Sequence, residues 1–266
     1  FNFEMVAHQQ VARSVVSAAN ISLKRLYSVG EESDRLSDSE FEKLKPYYED
    51  LKSRKDVWFI ETPGTAQEIV HSLLMYYKNE CKPYGKILVY EIDHALLTKG
   101  FQGEKEKDRI DDLMYRLVEL KKIISADGGS SIGIVMSQMN RDIRKPERIK
   151  DKQLHRPNTG DLFGASSIEQ CCDYIIFVHI PAKLNIPSYT VKDLPTRMTI
   201  DGDVYMIPYL ELVKQRSGES DLTIPMWNKL HRFDFDEMDI GIFKNLHQQF
   251  KDTGHCLFNK QQQFKF

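Results

Sequence analysis

Four strand-like runs in this chain stop abruptly at polar or charged side chains. They end at Glu4, Asp93, Gln138 and the pair Lys214 and Arg216. Short apolar runs of this kind read as buried strands, and a buried strand that breaks into polar residues presents them at the carboxyl edge of a sheet. In open α/β folds that edge is where ligands sit.

The segments between these runs read mostly as helices. Val11, Val15, Val16 and Ala19 form a helical stripe over 6–19, and Ser37 with Glu40 reads as a capping box for a helix carrying Phe41, Leu44, Tyr48 and Leu51, interrupted by Pro46. Val57–Ile60 reads as a short strand. Thr65 caps a helix that turns Ile69, Leu73 and Tyr76 or Tyr77 inward, and 105–126 carries Leu113, Leu117, Leu120 and Ile124 at helical spacing. Strands are expected at 86–93, 132–136, 173–178, 209–213 and 222–227. Alternation early in the chain predicts one α/β domain, an open, mostly parallel twisted sheet with helices on both faces and antiparallel edge strands. Residues 183–204 read as an insertion. The Gln- and Phe-rich stretch 240–266 reads as a C-terminal tail beyond a domain spanning 1–239.

Composition narrows the function classes. Hydrophobic residues make up 41% and charged residues 29%, and no apolar stretch approaches the roughly 20 residues of a membrane helix. The four cysteines (Cys81, Cys171, Cys172 and Cys256) have no metal-ligand spacing and read as reduced thiols in a cytoplasmic protein. Net charge is −2, yet seven cations fall between Arg141 and Arg156, including Arg144, Lys145 and Arg148. A basic loop of this kind suits a phosphate backbone, and it is equally the composition of a solvated surface loop.

Each strand end carries two readings. Asp93 could hold magnesium through water, or simply end a strand in a turn. Glu4 could orient or deprotonate a water, or favour a helix N-terminus. Gln138 could sense a γ-phosphate by hydrogen bonding, or cap a loop. Lys214 and Arg216, one residue apart, could stabilise charge on a transferring phosphoryl group, or line a solvated edge strand. His94-Ala95 after Asp93 superficially resembles an acid-box helicase, but Asp93 lacks the adjacent Glu.

In order, Phe1-Asn-Phe-Glu4-Met5, strand-ending Asp93, Ser137-Gln138-Met-Asn-Arg141, the basic loop, Asp161-Leu162, Ser167-Ile168-Glu169-Gln170 with Asp173, and Lys214-Gln-Arg216-Ser-Gly218 resemble the RecA-like motor domain of DnaB-family replicative helicases. The resemblance extends to about residue 236 and includes His231-Arg-Phe-Asp234. It implies an ATP-dependent, Mg2+-using helicase that forms a homo-hexamer around single-stranded DNA, with primase and a helicase loader as partners and no membrane association. By the same resemblance Glu4 is the catalytic glutamate and Asp93 the magnesium aspartate. Gln138 links nucleotide state to the DNA-facing loops. Lys214 and Arg216 reach, as piston lysine and arginine finger, the nucleotide of a neighbouring subunit, and so count as both catalytic and cofactor-binding. Arg141, Arg144, Lys145, Arg148, Phe163 and Gly164 fall on the DNA-facing loops.

Three departures qualify this. No G-x-x-x-x-G-K-[ST] occurs, and the resemblance places that loop upstream of Phe1, so the chain reads as a fragment that hydrolyses no ATP by itself. The family's D-L-R-E-S-G becomes Asp161-Leu-Phe163-Gly164-Ala165-Ser166, which removes an Arg and a Glu from a DNA-contacting loop. The family's Tyr after the magnesium aspartate is His94 here. A runner-up reading is a RecA-like ring or interaction module without ATPase activity; another RecA-like ATPase, such as a recombinase or clock-type ATPase, is a third.

Overall fold

The computed structural model describes residues 1–28, 30, 34–100, 102–229 and 234–258. His231, Arg232 and Phe233 of the closing motif, and 259–266 of the expected tail, lie outside the described residues. In chain order the main elements are α1 (Ala7–Ala18), α2 (Leu23–Tyr27), α3 (Asp38–Ser53), α4 (Ala66–Tyr76), β1 (Leu88–Ile92), α5 (Glu106–Ala126), β2 (Ser131–Val135), α6 (Pro146–Lys150), α7 (Ala165–Cys171) and β3 (Tyr174–His179). There follow β4 (Ser188–Tyr189), β5 (Leu194–Pro195), β6 (Arg197–Ile200), β7 (Asp203–Met206), β8 (Tyr209–Gln215), β9 (Leu222–Lys229), β10 (Asp234–Glu237), α8 (Ile240–Thr253) and β11 (Leu257–Phe258). They fall into two compact units, one of Phe1–Gln138 with Leu162–Cys171, the other of Met139–Asp161 with Cys172–Phe266.

In the first unit β1 and β2 pair in parallel, Val89 opposite Ile132 and Glu91 opposite Ile134. Beyond β1 the chain start continues the sheet: Asp93 N–H donates to Phe1 O (2.9 Å) and Phe3 N–H to Asp93 O (2.8 Å). Expected helices form with their expected caps. Ser37 and Glu40 cap each other's end of α3, which runs on through Pro46, and Thr65 with Glu68 does the same for α4. Reciprocal bonds of this kind satisfy two amide donors that a helix start otherwise leaves to water. Of the α4 candidates it is Tyr77 that is buried, with Ile69 and Leu73, while α5 buries Leu113, Leu117, Leu120 and Ile124. In α3 only Leu44 is buried, joining Val15, Val16 and Ile21; Phe41 and Tyr48 stay exposed.

Strand alternation puts Leu88 and Ile92 on a buried face of β1 and Val89 on the other. Val89 (61% exposed), Ile132 (54%) and Ile134 (48%) make that second face apolar yet open. Gly133 lets Tyr90 cross β2, because a Cβ there would stand 2.4 Å from the Tyr90 hydroxyl. The strand expected at Val57–Ile60 does not form; its one bond toward the sheet is from Asn2 N–H to Ile60 O (2.9 Å), among the described residues. A strand needs a ladder on at least one side, and here one bond is made. A cleft of about 900 Å³ lies in this unit, lined by Val57–Ile60, the Lys86–Glu91 edge and Phe1.

The four-stranded sheet of the second unit is antiparallel, in the order β10-β9-β8-β3, with β3 against β8 and β8 against β9. Residues 183–204, read as an insertion, build β4 to β6 and the start of β7. α8, within the stretch expected as a tail, buries Phe243 and Leu246 in one core with Tyr189, Ile207, Tyr209 and Met238. The expected single, mostly parallel sheet is therefore not found among the described residues: parallel pairing joins β1 to β2 and β11 to β6, and β3 pairs antiparallel with β8.

Candidate nucleotide and DNA site

In the first unit three of the candidates converge. The bridge between Asn2 and Asp93 brings the chain start alongside the end of β1, which places Glu4 near Asp93's successor, His94. His94 is 7% exposed. Its Nε2 lies 3.7 Å from Glu4 Oε2 and 3.2 Å from Gln138 Nε2, while its Nδ1 is buried without a hydrogen-bond partner. Gln138 follows β2 because the ladder continues past the strand ends: Met136 N–H donates to Ile92 O and Ala95 N–H to Met136 O. Glu4, Asp93, His94 and Gln138 thus gather at the carboxyl ends of parallel strands.

The same edge carries the rewritten loop. Phe163 N–H donates to Gln138 O (3.2 Å), tying the two backbones together. Gly164 has φ +74°, and a Cβ on it would come within 3.0 Å of Ile110 Cδ1 from α5. Glycine is what this turn and this close approach require, so the departure at Gly164 has a local cause.

In the second unit the basic loop is held by two buried clamps. Arg148 grips Asp161 with both terminal nitrogens and also donates to Leu154 O and Arg156 O. Arg156 donates to Glu211 Oε2 (2.5 Å), to Asp221 (3.2 Å) and to Leu222 O (3.1 Å). Glu211, fully buried, also accepts from the Tyr189 (2.7 Å) and Thr223 (2.8 Å) hydroxyls. Burial, then the Glu211 charge, pushes the Tyr189 hydroxyl far above its usual range. His179 Nδ1 lies 3.2 Å from that hydroxyl, and burial, then the charge of Arg148, lowers the His179 pKa to about 4. Arg141, Arg144 and Lys145 are exposed, Lys145 beside Asp142 at 3.0 Å. Sequence reasoning missed Glu211, Arg156 and Tyr189; the one signal was an acid inside the apolar run Tyr209–Val213.

Lys214 lies on β8 opposite Ile175, beside an irregularity in the β3–β8 register. Arg216 follows the strand end, its N–H donating to Asp173 O (2.9 Å) and its Nε 3.4 Å from Asp173 Oδ1. Asp173, the last residue of the S-I-E-Q-x-x-D pattern, is thus the partner of the expected finger.

The model of the DnaB-like helicase C-terminal domain matches residues 1–235. The chain belongs to this family. No curated protein matches the sequence. Among solved structures, a DnaB-like replicative helicase described with its interactions with primase is similar at 16% identity and a TM-score of 0.65, covering 90% of this chain and 49% of its own. A second solved structure, described as an ATPase domain, is similar at 17% identity and a TM-score of 0.67, covering 90% of this chain and 73% of its own. This DnaB-family chain therefore spans about half the length of the first and about three-quarters of the second. At these identities the likeness shows the fold alone, one shared with these helicase structures.

The donor set suits some of what the family uses. Magnesium keeps most of its waters and takes one or two carboxylates alongside substrate phosphates, which Asp93 with Glu4 nearby can supply. Among the described residues no three His, Cys, Asp or Glu converge to hold a metal by protein alone. A Gly-rich phosphate cradle is missing from the sequence.

Proposed function

We propose that this chain is the greater part of the motor domain of a ring-forming, ATP-driven replicative helicase that moves along single-stranded DNA. The observation that carries the reading is the convergence of Glu4, His94 and Gln138 at the strand end marked by Asp93 in a chain of the DnaB family. Asp93 would hold Mg2+, while Glu4 orients and deprotonates the attacking water and Gln138 contacts the γ-phosphate. When bound, Mg2+ would supply charge neutralisation and ATP the phosphoryl group. The Gln138–Phe163 backbone link supports a path from nucleotide state to the DNA-facing loop. In the second unit Arg141, Arg144 and Lys145 contact the DNA backbone while Arg148 holds their loop in shape, and in the first unit Phe163 and Gly164 lie on a DNA-facing loop of their own.

Lys214 and Arg216 act on the nucleotide of a neighbouring subunit, which makes a closed homo-hexamer the working form. Primase and a loader are its partners, and the cytoplasm its place. Among the described residues no helix is long and apolar enough to cross a membrane. The test is Arg216→Ala in the native protein. Loss of about 10³-fold in hydrolysis with nucleotide affinity kept fits a finger acting in trans; loss of affinity instead contradicts it. A non-catalytic ring module has one supporting observation, the missing phosphate loop, and hydrolysis by the native protein excludes it.

A further inference from the structure

The buried imidazole between Glu4 and Gln138 has a role of its own. Glu4 is more than half exposed and Gln138 is exposed, whereas His94 is almost wholly enclosed. The ring therefore keeps its place while the two flanking side chains are free to change partners. Both face the same atom, Nε2, at 3.2 Å from Gln138 Nε2 and 3.7 Å from Glu4 Oε2. The other nitrogen, Nδ1, is buried with no hydrogen-bond partner and offers no second anchor. Asp93, the preceding residue, is the neighbouring carboxylate at this strand end.

A neutral imidazole carries one donor and one acceptor. When Nε2 accepts from the Gln138 amide, the proton resides on Nδ1 and Nε2 has nothing to give Glu4. When Gln138 leaves, the proton on Nε2 can be donated to Glu4 Oε2, which fixes the carboxylate and leaves Oε1 to a water. Gln138 and Glu4 therefore compete for one nitrogen.

We propose that His94 is a positioning residue that couples Gln138 to Glu4, its Nε2 bonding either the Gln138 amide or the Glu4 carboxylate. The inference rests on the helicase reading for its purpose: withdrawal of Gln138 toward a γ-phosphate frees Nε2 to orient the glutamate that handles the water. The geometry of the three residues does not depend on that reading. In this step the Nδ1–H bond breaks and an Nε2–H bond forms, one proton passing to water and one being taken from it, so the ring stays neutral; because Nδ1 is enclosed, the exchange requires a transient opening around the ring.

The first arm of the test needs no catalysis. In protein labelled with 15N at histidine, long-range 15N–1H correlations at a pH where the ring is neutral report which nitrogen of His94 carries the proton. Wild type and Glu4→Gln should hold it on Nδ1, and Gln138→Leu should move it to Nε2. Both substitutions fall on exposed side chains and leave His94 in place. The same tautomer in wild type and Gln138→Leu overturns the proposal. The second arm is ATP hydrolysis by the native protein. His94→Leu should lower kcat by about 10²-fold with KM for ATP within about 3-fold, and His94→Gln, whose amide reaches the Nε2 position, should restore about 10-fold of that. An unchanged kcat in His94→Leu, or a raised KM alone, also overturns it. If the wild-type protein hydrolyses no ATP, the helicase reading falls and the tautomer comparison still decides the coupling.

Discussion

Arg148 separates a DNA contact from a structural clamp. Its side chain is 15% exposed and that of its partner Asp161 3% exposed, and it also donates to Leu154 O and Arg156 O. Removing one member of a buried ion pair leaves an uncompensated charge and costs about 3–5 kcal/mol. The partial exposure of Arg148 sets the expectation for Arg148→Ala at the lower end, about 3 kcal/mol. With a urea slope of about 2 kcal/mol per M, the unfolding midpoint falls by about 1.5 M. Arg144→Ala and Lys145→Ala, on exposed side chains, should move it by less than about 0.5 kcal/mol. Each should instead weaken single-stranded DNA binding and lower the slope of log affinity against log salt by about 0.7. The assays are urea titration followed by circular dichroism, and fluorescence anisotropy with oligonucleotides across a salt series. An Arg148→Ala protein as stable as wild type, with DNA binding weakened as in Arg144→Ala, would refute the clamp.

Two further expectations follow from the burial of particular groups. His179 has a native pKa of about 4 against an ordinary 6.5, so the neutral ring is favoured in the fold. The associated stability is present above pH 6.5 and is lost as pH falls from there toward 4. Linkage puts the loss between pH 7.5 and 5 at about 2 kcal/mol, and His179→Gln should flatten that part of the melting-temperature profile; an unchanged profile contradicts it. Gly164→Ala should cost about 1–2 kcal/mol, since it forces an L side chain into φ +74° against Ile110. Calorimetry reads it directly, and a neutral substitution means the turn is softer than its geometry implies.

How much was legible depended on how far apart the interacting groups lie in the chain. The Leu113–Ile124 stripe and the Ser37 and Thr65 caps are local, with partners within four residues, and they form where the spacing puts them. β1 and β2 were legible as continuous apolar runs. Val57–Ile60 was misread because composition marks a segment that can pair without saying whether a partner strand lies beside it. The single parallel sheet failed for the same reason, since the β3–β8 pairing is a long-range choice that periodicity does not encode. At the site, strand ends located Glu4, Asp93 and Gln138, yet the roles of Arg148 and Arg156 were hidden. Arg156 meets Glu211 55 residues away, and a cation in a basic loop looks the same whether solvated or clamped. His94 stood out only as a departure from the family, and its position between two candidates came from the fold.

The proposed role of Glu4 in ATP hydrolysis, at the strand end marked by Asp93, has a direct test. The measurement is ATP turnover by the native protein with and without single-stranded DNA, wild type against Glu4→Gln. DNA-stimulated turnover is expected in wild type, with a fall of about 10²–10⁴-fold in Glu4→Gln and nucleotide binding retained. Turnover unaffected by Glu4→Gln, or absent from the wild-type protein, would contradict it.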